Sequence, residues 1–417
     1  MLKVHYYTDC PFFAGCEGML ANFFNDNDFA QAHKIHLYYR HSAEYKEGLD
    51  KRIENLVRAT PIYFPDLSAI TNVAKQKKPS LFKSAILNAL RLVLTGPLFI
   101  YEIIYLFMVF RKDMPDILHI NNGGYPAALS ARAAAIAGKL VGINTIVMVV
   151  NNLAENYRRP SRWLDYPVDC VVKLCVTQFI TGSTVAAEQL KTVLTLSNGH
   201  VEAIHNGIAV KQLTESKKQT LDRLNLSNFD GVLLGVVALL ISRKGHQVLL
   251  DAMLKLKAEG ALATKNVKVL IEGDGPLQKK LADFVEKHDL SQWVVFVGEE
   301  RNIANFMSLL DILILPSVAN EDFPNVIIEA MALSKPVIAS RLAGTPEQVV
   351  DGVTGRLVEP RDVDGLADVI SELVEQPGRL KSIGNAALAR YNECFSREIA
   401  LSNYAKMYMK LVIKKKQ

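Results

Sequence analysis

The chain has 417 residues, a length typical of two or three domains. Its composition, 49% hydrophobic and 22% charged, is that of an ordinary globular protein and excludes fibrous and intrinsically disordered classes. The net charge of +5 suits phosphate-bearing ligands or an anionic membrane surface, but equally a solvated basic surface, and no cluster of basic and aromatic residues indicates nucleic-acid binding.

The five cysteines are scattered and include no Cys-x-x-Cys pair. No disulfide framework or zinc site is therefore predicted, and a reducing cytosol is favoured. Residues 1–7 have the pattern of a strand and lack the layout of a signal peptide. We expect a cytoplasmic protein, peripheral on the inner face of the cytoplasmic membrane if it binds lipid.

Short apolar or β-branched runs alternate with longer helical patterns along the whole chain. This alternation predicts an α/β fold with parallel sheets and helices on both faces. In the first half, the predicted strands lie near residues 2–7, 34–40, 60–64, 116–120, 144–150, 176–180 and 201–204. In the second half, they lie near residues 232–237, 267–272, 293–297, 311–315, 336–340 and 356–358.

The segment 84–110 is much more apolar than its neighbours. Its central run is shorter than the roughly 20 residues of a spanning helix and contains Glu102. Two interpretations stay open, a helix packed on the N-terminal sheet and a helix lying in a membrane surface. In the second, seven basic residues would meet anionic head groups: Lys75, Lys77, Lys78, Lys83, Arg91, Arg111 and Lys112.

The break between two domains is predicted after Ile208, because the residues that follow are polar and rich in lysine. The predicted N-terminal domain is 1–209 and the predicted C-terminal domain is 231–395. Residues 210–230 would link them, and residues 396–417 have a helical pattern.

The stretch Glu-Asp-Phe-Pro-Asn-Val-Ile-Ile-Glu at 321–329 is the most informative part of the chain. It follows a buried strand and begins a helix, with Pro324 predicted at the first helical position. Glu321 would precede the helix, and Glu329 would lie about a turn and a half inside it, on the order of 10 Å away. Between the two carboxylates, unpaired N–H groups and a positive dipole end favour phosphate binding.

This stretch resembles the E-x7-E signature of the family-4 retaining glycosyltransferases. Further stretches resemble that family's motifs in the same order: Ile204-His205-Asn206-Gly207-Ile208, Lys244-Gly245-His246, Gly273-Asp274-Gly275-Pro276, Val295-Phe296-Val297-Gly298, Gly344-Thr345-Pro346-Glu347 and Asp351-Gly352-Val353-Thr354-Gly355. The resemblance implies the GT-B fold, two Rossmann-like domains facing across a cleft, with residues 396–417 crossing back to the N-terminal domain. It also implies that the N-terminal domain binds an acceptor and the C-terminal domain binds a nucleotide sugar.

The resemblance assigns Lys244 a catalytic role at the donor diphosphate, where its charge would stabilise the leaving group. The family usually has an arginine five residues earlier, but this chain has Leu239 there. Arg243 is therefore the candidate for the second cation. The alternative for Lys244 is a solvated loop lysine.

By the same resemblance, Glu329 would bind the ribose hydroxyls of the donor. Glu321 would face the sugar and support positive charge at the anomeric carbon. The alternative for both glutamates is an acid favoured by the helix dipole. Donor contacts are also expected from the intervening residues Phe323, Pro324, Asn325 and Val326, the last two as sources of backbone N–H groups.

Three further positions are implied as donor-binding. Gly273 lies in a strand-to-helix turn, where turn geometry alone would also explain a glycine. Gly15 takes the place of the family's glycine-rich turn, although Cys16 replaces the second glycine of that turn. Asn151 stands where many relatives carry a histidine, and its amide can bind a hydroxyl but cannot act as an acid or a base.

On the acceptor side, His119 is predicted at the end of a strand, and Asn121 and Asn122 in the loop that follows it. All three would face the same cleft. A lone strand-end histidine is more often structural, so His119 keeps both interpretations.

The resemblance implies a retaining hexosyl- or N-acetylhexosaminyl-transferase that uses a nucleotide-diphosphate sugar. The acceptor would be a saccharide, polyprenyl-linked, in cell-surface polysaccharide or lipopolysaccharide assembly. No essential metal or other cofactor is expected, because no Asp-x-Asp lies at a strand end and Asp362-Val363-Asp364 has the pattern of a helix cap. Two alternatives stay open: a sugar-nucleotide epimerase of the same fold, and a catalytically silent donor-binding subunit, suggested by Leu239 and Asn151.

Overall fold

The computed structural model describes residues 1–13, 15–55, 57–65 and 81–413. These residues form two compact units, each built around one parallel β-sheet. The first unit contains Met1–Ile204 and the C-terminal residues from Leu401 onward, and the second contains His205–Ala400.

The first unit has a seven-stranded sheet in the order β3-β2-β1-β4-β5-β6-β7. Its strands are β1 (Leu2–Thr8), β2 (His33–Arg40), β3 (Arg58–Ile62), β4 (Ile117–Asn122), β5 (Thr145–Val150), β6 (Gln178–Thr181) and β7 (Val201–Ala203). Its helices are α1 (Gly18–Asn25), α2 (Asn27–Ala32), α3 (Ala43–Arg52), α4 (Leu81–Lys112), α5 (Leu129–Val141), α6 (Tyr166–Cys175) and α7 (Thr184–Leu194). Short 3-10 turns lie at Gly15–Glu17 and Pro160–Asp165.

The second unit has a six-stranded sheet in the order β10-β9-β8-β11-β12-β13. Its strands are β8 (Val232–Val237), β9 (Val267–Glu272), β10 (Val294–Gly298), β11 (Ile312–Leu315), β12 (Val337–Ser340) and β13 (Gly355–Val358). Its helices are α8 (Lys217–Arg223), α9 (His246–Ala258), α10 (Ala261–Lys265), α11 (Gln278–Lys287), α12 (Ile303–Leu309), α13 (Asn325–Ala332), α14 (Thr345–Gln348), α15 (Val363–Val374) and α16 (Pro377–Arg390). A 3-10 turn at Ser242–Lys244, a π-helical turn at Tyr391–Phe395 and the last helix, α17 (Arg397–Ile413), complete the chain.

Several central strands are mostly apolar because both faces of each sheet are covered. All six residues of β5 and all four of β11 are buried. Continuous apolar runs of this kind are expected in parallel sheets that carry helices on both sides. Every predicted strand has a counterpart in the structure, and the prediction of two Rossmann-like α/β domains is confirmed.

Each sheet has one topological switch point. The strand order runs outward in opposite directions from the pair β1–β4 in the first sheet and from the pair β8–β11 in the second. Ligands of open α/β sheets bind outside the carboxyl ends of the strands at such a point. The loops that follow these four strands are therefore where functional side chains are expected.

The boundary between the units lies at Ile204–His205, earlier than the predicted position 209. The segment 210–230, predicted as a linker, lies within the second unit and contains α8, which packs against α12. Ser216 caps this helix in a reciprocal capping box with Gln219. A capped surface helix needs few apolar residues, which explains why its sequence has the composition of a connector.

Helix α4 is 32 residues long and packs against α5. Its stretch Leu94–Lys112 is long and apolar enough to cross a bilayer, judged by length and composition alone. Leu106 and Phe110 are fully buried in the core of the first unit, and Phe99, Ile103 and Phe107 pack partly against that core. The exposed side, here called the outer face of α4, consists of Ile100, Tyr101, Ile104 and Met108.

One face of α4 therefore packs on its own unit, as the first interpretation predicted, while the outer face leaves apolar side chains in solvent. Among the basic residues proposed to flank it, Arg111 and Lys112 end the helix and are exposed. Lys75, Lys77 and Lys78 lie outside the described residues.

Candidate functional site

The loops after β8 and β11 meet at the switch point of the second sheet. The loop after β8 ends in the 3-10 turn Ser242–Lys244, and Gly245 then adopts a φ of +70°. A side chain at Gly245 would overlap the carbonyl of Pro316, so only glycine allows this approach. The backbone N–H of Val318 donates to the carbonyl of Arg243 at 2.8 Å, which ties the two loops together.

Glu321 lies at the centre of this junction. Its Oε2 accepts from Lys244 Nζ at 2.6 Å, from Ser317 Oγ at 2.9 Å and from a guanidinium nitrogen of Arg243 at 3.3 Å. The two cations predicted for the donor diphosphate are therefore held by one carboxylate predicted to face the sugar. We call this group of Arg243, Lys244 and Glu321 the cation clamp.

The clamp is partly shielded from solvent. The side chains of Lys244 and Glu321 are 12% and 10% exposed, whereas that of Arg243 is 35% exposed. Burial lowers the pKa of Lys244, and the adjacent Glu321 opposes that shift by favouring the ammonium form. Two cations against one carboxylate leave a local excess of one positive charge, which favours an anionic ligand.

Helix α13 begins one residue later than predicted. Pro324 is its N-cap, with φ −67° and ψ 122°, and Asn325 is the first helical residue. The fixed φ of proline suits both the N-cap and the first helical position. The extended ψ of Pro324 makes this residue the N-cap, so the helix begins at Asn325. The helix has eight residues, and Glu329 is the fifth of them.

The residues between the two glutamates have structural partners. Phe323 is buried, and its ring stacks on that of His205 with centroids 4.8 Å apart. Asn325 accepts a hydrogen bond from the amide of Asn206 at 3.1 Å, and Val326 packs partly against the core. Because these side chains already pack in the core or bind other residues, the predicted donor contacts of Phe323, Asn325 and Val326 would have to come from backbone groups.

Glu329 lines a small pocket within the second unit. The remaining lining residues are mostly apolar and come from the segment after β7, from α12 and from α13: Ile208, Ala209, Val210, Lys211, Ile303, Ala304, Met307, Ala332 and Leu333. One carboxylate beside an apolar wall suits a ligand that combines hydroxyls with a flat apolar ring.

A second carboxylate lies near Glu329 at the end of β9. Glu272 is buried and accepts from the backbone N–H of Glu300 at 3.1 Å. Burial, together with the charges of Glu299, Glu300 and Glu329, raises the pKa of Glu272 to about 7. This edge of the sheet therefore carries a second carboxyl group, Glu272, beside the Glu329 that the sequence motif indicated.

The turn after β9 explains Gly273 without a ligand. Its φ is +120°, and an added Cβ would overlap the carbonyl of Ala238. The structural interpretation accounts fully for this glycine, and its predicted donor contact rests on the family resemblance. Leu239, which replaces the expected arginine, has a side chain 51% exposed beside this turn.

In the first unit, the loops after β1 and β4 also meet at the switch point. Glu17 is fully buried there and accepts from Thr8 at 2.8 Å, from Asn121 at 3.0 Å and from the hydroxyl of Tyr45 at 2.9 Å. Burial raises the pKa of Glu17, and these hydrogen bonds oppose the shift. Gly15 is two residues away, and an added Cβ there would meet open space.

The asparagines predicted on the acceptor side belong to the same network. Asn121 and Asn122 are the last two residues of β4, not loop residues as predicted, and both are buried. The amide of Asn151 donates to Asn121 at 2.7 Å and to the carbonyl of Asn122 at 3.0 Å. The structure therefore brings Asn121 and Asn151 together with Glu17.

His119 is not at a strand end. It is the third residue of β4 and is buried in an aromatic cluster with Tyr6, Phe23 and Tyr404. Its Nδ1 lies 2.5 Å from the hydroxyl of Tyr408 on α17, and burial lowers the pKa of His119 to about 3. These contacts favour the structural interpretation of His119, because its ring is buried in this core.

Several polar residues of these edges were not predicted. Ser317 lies two residues after β11 at the switch point of the second sheet, Glu272 ends the neighbouring strand β9, and Glu17 belongs to the glycine-containing turn of the first sheet. The sequence does show that these residues lie at or after the end of a predicted strand, but the same is true of polar residues in every loop of the fold. Only the strand order, which the sequence does not reveal, selects the loops that flank the switch points.

Comparison with known proteins agrees with this geometry. Residues 218–390 match the family model for glycosyl transferases group 1, and this range lies within the second unit and contains the cation clamp. An uncharacterized glycosyltransferase from Methanocaldococcus jannaschii is 33% identical over 177 residues, 42% of this chain and 47% of that protein. The capsular polysaccharide biosynthesis glycosyltransferase CapM from Staphylococcus aureus is 24% identical over 74% of this chain and 80% of its own length.

Among the curated relatives with at least 30% identity, the matched region spans about half of their length or less. Among solved structures, Anabaena HepE in complex with UDP has a TM-score of 0.75 at 18% identity, covering 98% of this chain and all of that one. The lipopolysaccharide outer core galactosyltransferase WaaB has a TM-score of 0.65 at 15% identity, and both chains are covered completely. The likeness to these solved structures shows that the chain has the GT-B fold, and its residues 218–390 are similar to the group 1 glycosyl transferases.

Proposed function

We propose that the protein is a retaining glycosyltransferase that moves a sugar from a nucleotide-diphosphate sugar to a saccharide acceptor. The observation that carries this proposal is the cation clamp at the switch point of the second sheet. Lys244 and Arg243 lie at a carboxyl edge, where a donor diphosphate would bind, and the family match covers the same residues.

The clamp supports a specific catalytic sequence. In the absence of donor, Glu321 holds both cations at 2.6 and 3.3 Å. When a diphosphate binds, its oxygens would share Lys244 and Arg243, and the charge that develops on the leaving group would be stabilised by groups already in position. Glu321, released in part from its ion pairs, would then stand beside the anomeric carbon as positive charge forms there.

The pocket beside Glu329 supports recognition of the nucleoside. Its apolar lining suits a base, and the single carboxylate among its lining residues can accept hydrogen bonds from both ribose hydroxyls. The HepE structures contain UDP and UDP-glucose, which makes a uridine diphosphate sugar the first donor to test.

The acceptor side is proposed from the first unit. The network of Glu17, Asn121 and Asn151 presents carboxylate and amide groups of the kind that recognise sugar hydroxyls. The outer face of α4 would bring this unit to a membrane surface that carries a lipid-linked saccharide. The names of CapM and WaaB, in capsular polysaccharide and lipopolysaccharide synthesis, support a role in cell-surface polysaccharide assembly.

The proposal is tested first by donor binding and then by product analysis. A thermal-shift screen against nucleotide sugars should identify one donor, because a ligand at a hundred times its Kd adds about 2.7 kcal/mol to stability. Turnover with saccharide acceptors should then release nucleoside diphosphate and form an α-linked product from an α-linked donor, as read from the anomeric proton signals. A β-linked product from that donor would contradict the retaining assignment.

The same assay separates the two alternatives. A sugar-nucleotide epimerase would return an epimerised sugar without a new glycosidic bond, and a silent subunit would bind donor without any turnover. We further propose that transfer needs no metal ion, so full activity should persist after exhaustive chelation. Loss of activity on chelation, with recovery on adding Mg²⁺ or Mn²⁺, would contradict this part.

A further inference from the structure

Two histidines and an aspartate converge on one face of the first sheet, away from both switch-point loops. His5 on β1 and His36 on β2 are directly opposite each other in the strand register. Asp113 lies just after α4, where the chain turns toward β4. One ligand atom from each of the three side chains lies within 4.8 Å of those of the other two.

Both imidazoles are buried, and each has a ring nitrogen that faces Asp113. His5 is 1% and His36 is 4% exposed. The Nε2 of His36 is 2.8 Å from the hydroxyl of Thr60, whereas its Nδ1 faces Asp113 and has no hydrogen-bond partner among the residues that the structure describes. A hydrogen bond on the outer ring nitrogen is what usually fixes the tautomer of a metal-binding histidine.

The spacing suits a small divalent ion. The Oδ2 of Asp113 is 3.6 Å from His5 Nε2 and 3.9 Å from His36 Nδ1. Ligands about 2.0–2.1 Å from a tetrahedral Zn²⁺ stand roughly 3.3 Å apart. The two distances from Asp113 to the histidines exceed this spacing by only a few tenths of an ångström, and Asp113 can move because its side chain is 29% exposed.

Neighbouring charges decide how tightly the site binds an ion. Two cations compete for the carboxylate: Lys3 contacts Oδ1 of Asp113 at 2.8 Å, and Arg58 contacts Oδ2 at 3.3 Å. The Arg58 side chain is 70% exposed and can turn into solvent, which would free Oδ2.

We propose that His5, His36 and Asp113 form a binding site for a divalent transition-metal ion, with Zn²⁺ the best fit. Two imidazoles and one carboxylate are ligands that Zn²⁺ accepts, and a water molecule would complete the tetrahedron. The ion would fasten β1, β2 and the α4–β4 connection together. The ion would take no part in the proposed sugar transfer.

The test measures Zn²⁺ binding to the full chain. Chelator-treated protein, with its thiols alkylated, is titrated with Zn²⁺ by calorimetry and with Co²⁺ by visible absorption. We expect one equivalent per chain and intense Co²⁺ bands of a four-coordinate site. Asp113→Asn and His36→Gln should each weaken binding at least about 10-fold, and Thr60→Ala by about 10- to 100-fold.

Two further variants make the result decisive. His200→Gln, at a half-buried histidine elsewhere in the first unit, should bind Zn²⁺ like the wild type. Arg58→Gln should bind Zn²⁺ more tightly, since one competing cation is removed, whereas a cluster held together only by its ion pairs would gain no affinity for Zn²⁺. The proposal is overturned if the wild type binds no stoichiometric Zn²⁺, or if Asp113→Asn and His36→Gln, folded by circular dichroism, bind as the wild type does.

Discussion

Replacing Glu321 by glutamine tests the cation clamp most directly, because stability and ligand binding should move in opposite directions. Glutamine keeps the shape of the side chain and one acceptor oxygen but removes its charge. The short bond from Lys244 at 2.6 Å then falls from a charge-assisted to an ordinary hydrogen bond, a loss of about 1–1.5 kcal/mol. The longer, more exposed contact with Arg243 adds only a few tenths, about 0.3–0.5 kcal/mol.

The expected destabilisation of the second unit is therefore about 1.3–2 kcal/mol, and for a domain of this size that lowers Tm by about 3–8 °C. Binding of a nucleoside diphosphate should improve, since the clamp then has two uncompensated positive charges. A carboxylate about 7 Å from a phosphate, at an effective dielectric constant of 40–80, repels it by about 0.6–1.2 kcal/mol. Removing it should tighten binding by about 3- to 8-fold.

The assay combines differential scanning fluorimetry with calorimetric titration of UDP and GDP, and turnover is measured in parallel. The matched control is Glu372→Gln, which removes a carboxylate that pairs with Arg356 and Arg379 in the same unit. The control should lose stability without any change in diphosphate affinity. The reasoning is refuted if Glu321→Gln weakens diphosphate binding, or if its kcat equals that of the wild type.

Four further predictions follow from the same structure. Lys244→Ala should lower kcat/KM by about two or more orders of magnitude in steady-state assays. If Arg243→Ala lowers kcat/KM equally, Arg243 replaces the arginine that the family usually has at position 239. Glu329→Ala should weaken nucleotide-sugar binding by about 1.5–3 kcal/mol in calorimetry, with an unchanged affinity contradicting its ribose role. Burial raises the pKa of Glu102 from 4.5 to about 7, so between these pH values the carboxyl is protonated in the folded protein but ionised in the unfolded chain. The free energy of unfolding should therefore fall by up to about 3 kcal/mol as the pH rises from 4.5 through 7. Glu102→Gln should remove this pH dependence, as measured by urea titrations at both pH values. Serine substitutions on the outer face of α4 should release the protein from anionic liposomes in sedimentation without unfolding it, and wild type that stays in the supernatant would contradict the membrane role.

The serine substitutions illustrate what periodicity alone could not provide. An all-apolar helix offers no contrast between its faces, so the sequence indicates that α4 is apolar but not which residues are buried. Phe99, Ile103, Phe107 and Phe110 would have been natural choices for a membrane test, yet they face the core of the first unit. Replacing them would unfold the protein and leave the membrane question without an answer.

The strands and the α/β class were predictable because buried parallel strands are short, apolar and bounded by turn residues. The cation clamp was predictable as a set of residues, but not as a set of contacts. Its assembly depends on β8 and β11 being neighbours, although their sequences are about 75 residues apart. Likewise, the metal-ligand cluster has no local spacing, since it arises from the register of β1 with β2 and from the exit of α4.

His119 shows the converse limit. Its sequence position suggested a ligand contact, and only the last helix explains its burial, through a hydroxyl almost 290 residues further along the chain. No local pattern connects the two residues. The role of a polar residue on a central strand depends on the element that packs over it, and for His119 that element is α17, far away in sequence.

The sequence order of the first unit has a consequence for synthesis. Tyr404 and Tyr408 of α17 complete the aromatic cluster around Tyr6 and His119, so the first unit is assembled from both ends of the chain. The second unit is continuous in sequence from His205 to Ala400 and can fold as soon as that stretch has left the ribosome. The nascent first unit, although translated first, lacks the contacts of Tyr404 and Tyr408 with its sheet until α17 has been made.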